Sequence, residues 1–117
     1  MEICDLVRAL LSFDTLGARQ WVADAARARL TWACVPEPSG VTPEELSVAA
    51  GVVELLAQRN GEPPPPWTVR IPSAPRRLYL VRAAETMPRL KLMCEREGPE
   101  PLRRRGIYAP PEFLTVA

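Results

Sequence analysis

Eleven of the fourteen prolines fall after residue 62, and this asymmetry limits the fold more than any other feature. Proline has no N–H to give and fixes its own φ, so a proline-dense stretch cannot sustain long helices or interior strands. The first 62 residues are free of that limit and the remaining 55 are not. A single domain is expected, with a helical core over 1–62 and a proline-rich basic segment, 63–117, packed on it. The aromatic fraction is only 6%, so the core must come from Leu, Val and Ala, which favours helices over a sandwich or barrel.

The N-terminal half carries three helical signals. Ile3, Leu6, Val7, Leu10 and Leu11 fall on one stripe of a first helix. Asp14 is placed to cap a second, predicted over 15–33, in which Ala18, Trp21, Ala25, Ala28 and Trp32 recur every three or four residues. Core packing is the expected role of the two tryptophans, ahead of cofactor stacking. After a loop at Pro36, Pro38 and Gly40, Thr42-Pro43-Glu44-Glu45 is a capping box with proline at the first helical position. A third helix follows over 43–59. Leu46, Ala49, Ala50, Val53, Leu56 and Ala57 form its main stripe, and Val48, Val52 and Leu55 are also apolar, so it should be covered on more than one side. Asn60-Gly61 ends it. The fold class is therefore mainly α: an N-terminal three-helix hairpin or bundle with a C-terminal half of short elements.

Pro63–Pro66 reads as a rigid polyproline II crossover that lays Trp67 on the helices, ahead of a ligand for an SH3-like domain. Residues 67–71 and 77–82 alternate partly in polarity. They are expected as an extended segment or a hairpin across 72–75, or the second as the start of a helix through Ala83 and Ala84. A helix over 88–97 fits Leu90, Met93 and Cys94 on one face, stopped by Gly98. Pro99–Leu102 opens another helical turn. The segment 107–114 is too apolar and aromatic for a disordered tail and should dock onto something.

The charge is split. Residues 1–62 hold five arginines against nine carboxylates, a balance of −4; residues 63–117 hold ten basic residues against five, a balance of +5. Either the halves face each other in one fold, or the basic half meets an acidic partner or nucleic acid. There is no histidine, which excludes Ser-His-Asp and Cys-His catalysis. The six glycines are scattered and make no phosphate loop. Cys4, Cys34 and Cys94 lack the spacing of a zinc site or disulfide framework and are expected as small buried hydrophobes in a reducing cytoplasm. Glu2 and Asp5 stand where a secretory signal would be positive. No cofactor, metal or membrane is expected, and an enzyme is the least favoured class.

Gln20-Trp21-Val22, Leu46–Gly51, Glu54–Arg59, Pro65–Thr68, Pro99–Arg105 and Ala109–Leu114 resemble a group of small bacterial proteins encoded beside nucleotidyltransferase-like toxins, candidate antitoxins. The resemblance spans nearly the whole chain, and its terminal Arg-rich and Ala-Pro-Pro text is the most specific part. It implies a non-catalytic protein-binding module that neutralises a toxin, and it carries over no catalytic residues. On this reading Arg103, Arg104 and Arg105 pair with carboxylates of the toxin, and Tyr108 and Phe113 are aromatic anchors. The alternatives are a small DNA-binding regulator, with Arg76, Arg77 and Arg82 extending the basic patch, and a homodimer formed through the alanine-rich second helix.

Overall fold

The computed structural model describes residues 2–115. Among the described residues helix, 3-10 turns included, accounts for 57% and strand for 4%, so the fold is mainly α. Among the described residues five helices are present: α1 (Ile3–Leu11), α2 (Thr15–Arg27), α3 (Pro43–Arg59), α4 (Pro88–Glu97) and α5 (Glu100–Arg103). Two short strands, β1 (Leu78–Tyr79) and β2 (Ile107–Tyr108), and three 3-10 turns complete it. Among the described residues no helix is long and apolar enough to cross a membrane.

α3 is the axis of the molecule. Every residue from Ser47 to Ala57 is buried, because α1, the turn at Trp32–Cys34, the turn at Pro66–Arg70 and α5 all pack around it. Gly51 makes the approach of α5 feasible: a Cβ there would stand 2.7 Å from Leu102 Cδ2 and 3.3 Å from the Pro101 carbonyl. The start of α3 follows its sequence signal. Thr42 N donates to Glu45 Oε1 at 2.9 Å and Glu45 N donates to Thr42 Oγ1 at 3.1 Å.

This box has a pH signature. The bond from the Thr42 backbone holds the Glu45 carboxyl below its ordinary range, outweighing burial, with the Thr42 hydroxyl and Arg8 adding to the effect. A carboxyl lowered on folding contributes stability that is present above its unfolded value and lost as pH falls through the folded one. Acid titration should therefore weaken the cap below the ordinary carboxylate range, and Glu45→Gln should flatten that part of the stability profile. Thr42→Ala is expected to cost about 1 kcal/mol in urea unfolding.

α1 and α3 occupy the expected spans; α2 does not. It stops at Arg27, because Arg29 takes a left-handed φ of 54° and the N–H groups of Arg29 and Leu30 bond back to Ala26 and Ala25. This Schellman-type closure moves Trp32 off the helix into a 3-10 turn, where its ring still packs on Trp21 at 6.1 Å between centroids. Ala18 and Ala25 of the alanine face are buried within the chain, while Ala28 at its end is exposed. α3 closes as Asn60-Gly61 anticipates, with Gly61 at φ 68° and Glu62 N donating to the Ala57 carbonyl.

The hairpin does not form. Pro66 opens a 3-10 turn, and the neighbours Trp67 and Thr68 are both buried, which breaks strand alternation. β1 instead pairs in parallel with β2, Leu78 opposite Ile107 and Tyr79 opposite Tyr108. Parallel pairing needs a long crossover, and here the Arg82–Glu85 turn, α4 and α5 supply it. Trp67 lies on the helical core as expected, its indole N–H donating to the Val35 carbonyl at 2.8 Å.

The two oppositely charged halves face each other. Arg70 pairs with Glu37, Arg76 with Glu44, and both Arg104 and Arg105 with Glu54. The C-terminal tail docks on its own chain: Arg59 donates to the carbonyls of Phe113 and Pro111, and Ala109 and Leu114 are buried.

Candidate functional site

The arginine run folds inward. Arg105 is only 4% exposed and Glu54 6%. Glu54 Oε2 accepts a hydrogen bond from Arg104 Nη2, and Oε1 is ion-paired with Arg105 Nη1. Arg105 also donates to the Thr68 carbonyl at 2.7 Å and the Pro101 carbonyl at 3.2 Å. Its contact with Oε1 is not aimed as a hydrogen bond, and its Nε has no partner among the described residues. The bond to Glu54 raises the Arg104 pKa, while burial lowers that of Arg105. Arg103 donates to the carbonyls of Gly98 and Arg96.

The expectation that Arg103, Arg104 and Arg105 together present charge to a partner is thus overturned at Arg105, which is buried. Arg103 is tied to the end of α4. Arg104 alone is substantially exposed, with 46% of its side chain accessible, and its Nη2 is engaged with Glu54. The cause lies on α3, where Glu54 sits in an otherwise apolar stretch and needs a counter-charge in the core. Arg76, Arg77 and Arg82, which the DNA-binding alternative adds to this run, are exposed, and Arg76 pairs with Glu44.

The two aromatic candidates part company. Tyr108 is half-buried and stacks on Tyr79 with ring centroids 5.2 Å apart. The Tyr79 hydroxyl donates to Glu95, and burial together with that carboxylate raises its pKa. This pair fastens α4 to the small sheet. Phe113 is also half-buried, but it lines an apolar groove of about 160 Å³.

The groove is a seam between the α1–α2 corner, the end of β1 and the docked tail. Leu10, Phe13 and Ala18 line it from the corner, Leu80 and Val81 from just after β1, and Pro110, Phe113 and Leu114 from the tail. Sequence reasoning placed Phe113 in a binding role and missed Phe13. Phe13 and Leu114 both have φ of 60°, a conformation that bulky L-residues rarely adopt. Each is the residue at which its segment reverses: Phe13 between α1 and α2, Leu114 at the last turn of the tail. Arg82 lies over the Phe13 ring, 5.2 Å from its centroid, and holds it against the seam. No glycine marked either position, so the sequence offered no signal of the reversed backbone.

The cysteines are not uniformly buried, contrary to expectation: Cys94 is buried, Cys4 half-buried and Cys34 exposed. Burial pushes the Cys94 thiol up, away from the thiolate that nucleophilic chemistry requires. Cys4 and Cys34 line one hollow of about 370 Å³ with Trp21, Glu2 and Glu37, a lining of mixed polarity beside the more uniformly apolar seam. Among the described residues no group of three or more Cys, Asp or Glu side chains is arranged to hold a metal ion.

Comparison with known proteins finds no match: no family model, no curated protein and no solved structure is similar to this chain. The functional reading therefore rests on the geometry of the seam.

Proposed function

We propose that this chain is a non-catalytic protein-binding module of the antitoxin type, acting on a nucleotidyltransferase-like toxin, and that its contact surface is the seam between the α1–α2 corner and the docked tail. One observation supports the reading: the apolar groove lined by Phe13, Phe113 and Leu114. A half-buried aromatic side chain in such a groove is the kind of anchor that dominates interface energies. The positive φ at Phe13 belongs to the closure of α1, where the N–H groups of Phe13 and Asp14 bond back to Leu10 and Ala9 as those of Arg29 and Leu30 do at the end of α2. Leu16, 81% exposed at the start of α2, adds apolar surface close in sequence to Phe13.

The arginines act differently from a contact patch on this reading. Arg105 and Arg104 fix α5 to α3, which in turn fixes the tail that forms one wall of the groove. Co-expression with the nucleotidyltransferase-like product of an adjacent gene tests the proposal. The expected result is restored growth and co-purification of the two chains, with Phe113→Ala weakening both. Unrelieved toxicity, with the two proteins eluting separately, would remove the reading.

A further inference from the structure

The arginine run borders a second hollow, which shares no residue with the seam. Val69, Ile71, Pro72, Ser73, Arg104 and Arg105 line it, and its volume is about 340 Å³. That is the small end of the roughly 300–1,000 Å³ of small-molecule pockets. Val69 is 71% exposed and Ile71 half-buried, so the fold leaves aliphatic carbon in water here. Among the described residues no carboxylate lines the hollow, and the sequence has none between Glu62 and Glu85.

The charge beneath the hollow is unequal. Arg104 and Arg105 share one buried carboxylate, Glu54, and both of its oxygens are taken. Glu100 comes no nearer than 3.9 Å to Arg104 Nη1, with its side chain 62% exposed, where water screens it. The neighbouring Arg70 and Arg76 are matched by Glu37 and Glu44, so the excess stays at the arginine run. Arg105 is 4% exposed, and its Nε has no partner among the described residues; a buried donor left in this state calls for an explanation. Arg104 uses Nη2 on Glu54 and makes no hydrogen bond through Nε or Nη1.

We infer that this hollow binds a small aliphatic carboxylate, its charge on Arg104 above buried Arg105 and its chain on Val69 and Ile71. Arg104 makes the direct contact, because a guanidinium presents N–H donors in a fork that matches the two oxygens of a carboxylate. Arg105 acts from behind as a fixed positive charge that solvent screens little. The ligand supplies the second counter-charge that Glu54 alone does not, and its chain covers the exposed aliphatic carbon. The inference does not rest on the protein-binding reading.

The test uses the full chain, isotope-labelled on arginine side chains and methyl groups, titrated with isovalerate at constant ionic strength. Saturable shifts are expected at Arg104 Nε–H and at the methyls of Val69 and Ile71. Isovaleramide, which has the same shape without the charge, should bind at least about tenfold more weakly, the margin of a hydrogen bond between charged groups. Acetate should also bind more weakly, because it lacks the chain that covers Val69. N-acetylleucine separates two sources of the same chemistry. Tighter binding than isovalerate supports the inference with a peptide C-terminus as the ligand, and weaker binding supports it with a free acid. Arg104→Ala leaves Arg105 matched one to one with Glu54 and should abolish the shifts; Arg104→Lys should restore part of the affinity. Val69→Glu, at an exposed position, hangs a tethered carboxylate at the hollow and should displace the ligand while urea unfolding stays cooperative.

Equal binding of acid and amide would overturn the inference. So would inorganic phosphate binding as tightly as isovalerate, shifts unchanged by Arg104→Ala, or the absence of saturable shifts in the folded wild-type chain.

Discussion

Glu54→Ala is expected to destabilise the fold by about 3–5 kcal/mol, the cost of leaving one member of a buried ion pair without its partner. The stranded group would be Arg105, which is buried and already has an unpartnered Nε. Its two carbonyl partners, on Thr68 and Pro101, satisfy N–H groups but do not neutralise charge. For a chain of this length each kcal/mol moves the melting temperature by roughly 3–6 °C, so a fall of roughly 9–30 °C should be seen by calorimetry. Arg104→Ala removes the other contact to Glu54, but Arg104 is half exposed and solvent screens what it leaves behind; a loss of about 1 kcal/mol or less is expected. A double variant, Glu54→Leu with Arg105→Met, should recover much of the stability lost by Glu54→Ala, because replacing both members of a buried pair with apolar side chains avoids the stranded charge. If the double variant were no more stable than Glu54→Ala, Glu54 would act through packing rather than through charge.

The same cluster shows where sequence reading succeeds and where it stops. The capping box at Thr42, the cap at Asp14, the Asn60-Gly61 closure and the stop at Gly98 were legible because each is written within a few residues. The span of α3 was legible because its apolar positions saturate the helix. Arg103–Arg105 was misread because a basic triplet has no local mark of burial, and the carboxylate that draws it in lies fifty positions earlier. A usable signal did exist: a lone Glu54 between Val53 and Leu55, inside a stretch that must be buried, demands a cation from elsewhere in the chain. The opposite charges of the two halves gave the same hint in coarser form. The β1–β2 pair was out of reach for another reason. Two-residue strands carry no periodicity, and a parallel partner 29 residues away cannot be found from a turn. α2 was overextended because Trp32 continues its spacing, whereas Arg29 adopts the reversed conformation that sequence assigns to glycine. Of the groove, Phe113 was legible as an aromatic in a rigid tail; Phe13 was not, since its role depends on where the tail docks.

Truncation after Gly98 should abolish folding altogether. It removes Leu102, Ile107 and Ala109, all three fully buried, and two large aliphatic side chains of this kind each contribute about 1.5–3 kcal/mol by burial. It deletes both arginines that pair with Glu54, which then stands charged on an apolar helix at a cost of about 3–5 kcal/mol. It takes β2 from β1 and uncovers α3 along the face where Gly51 admits Leu102. These losses together match or exceed the about 5–15 kcal/mol that separates a folded domain from its unfolded chain. Circular dichroism should show no cooperative urea transition. Truncation after Ala109 is the informative contrast. It keeps Leu102, Arg104, Arg105, β2 and buried Ala109, and it removes Pro110, Phe113 and Leu114 with the two carbonyls that Arg59 holds. That chain should stay folded with a loss of about 1.5–3 kcal/mol, chiefly from Leu114, yet have no groove wall opposite Phe13. A shortened protein that unfolds cooperatively and no longer binds toxin would separate the part of the C-terminal half that completes the core from the part that makes the contact.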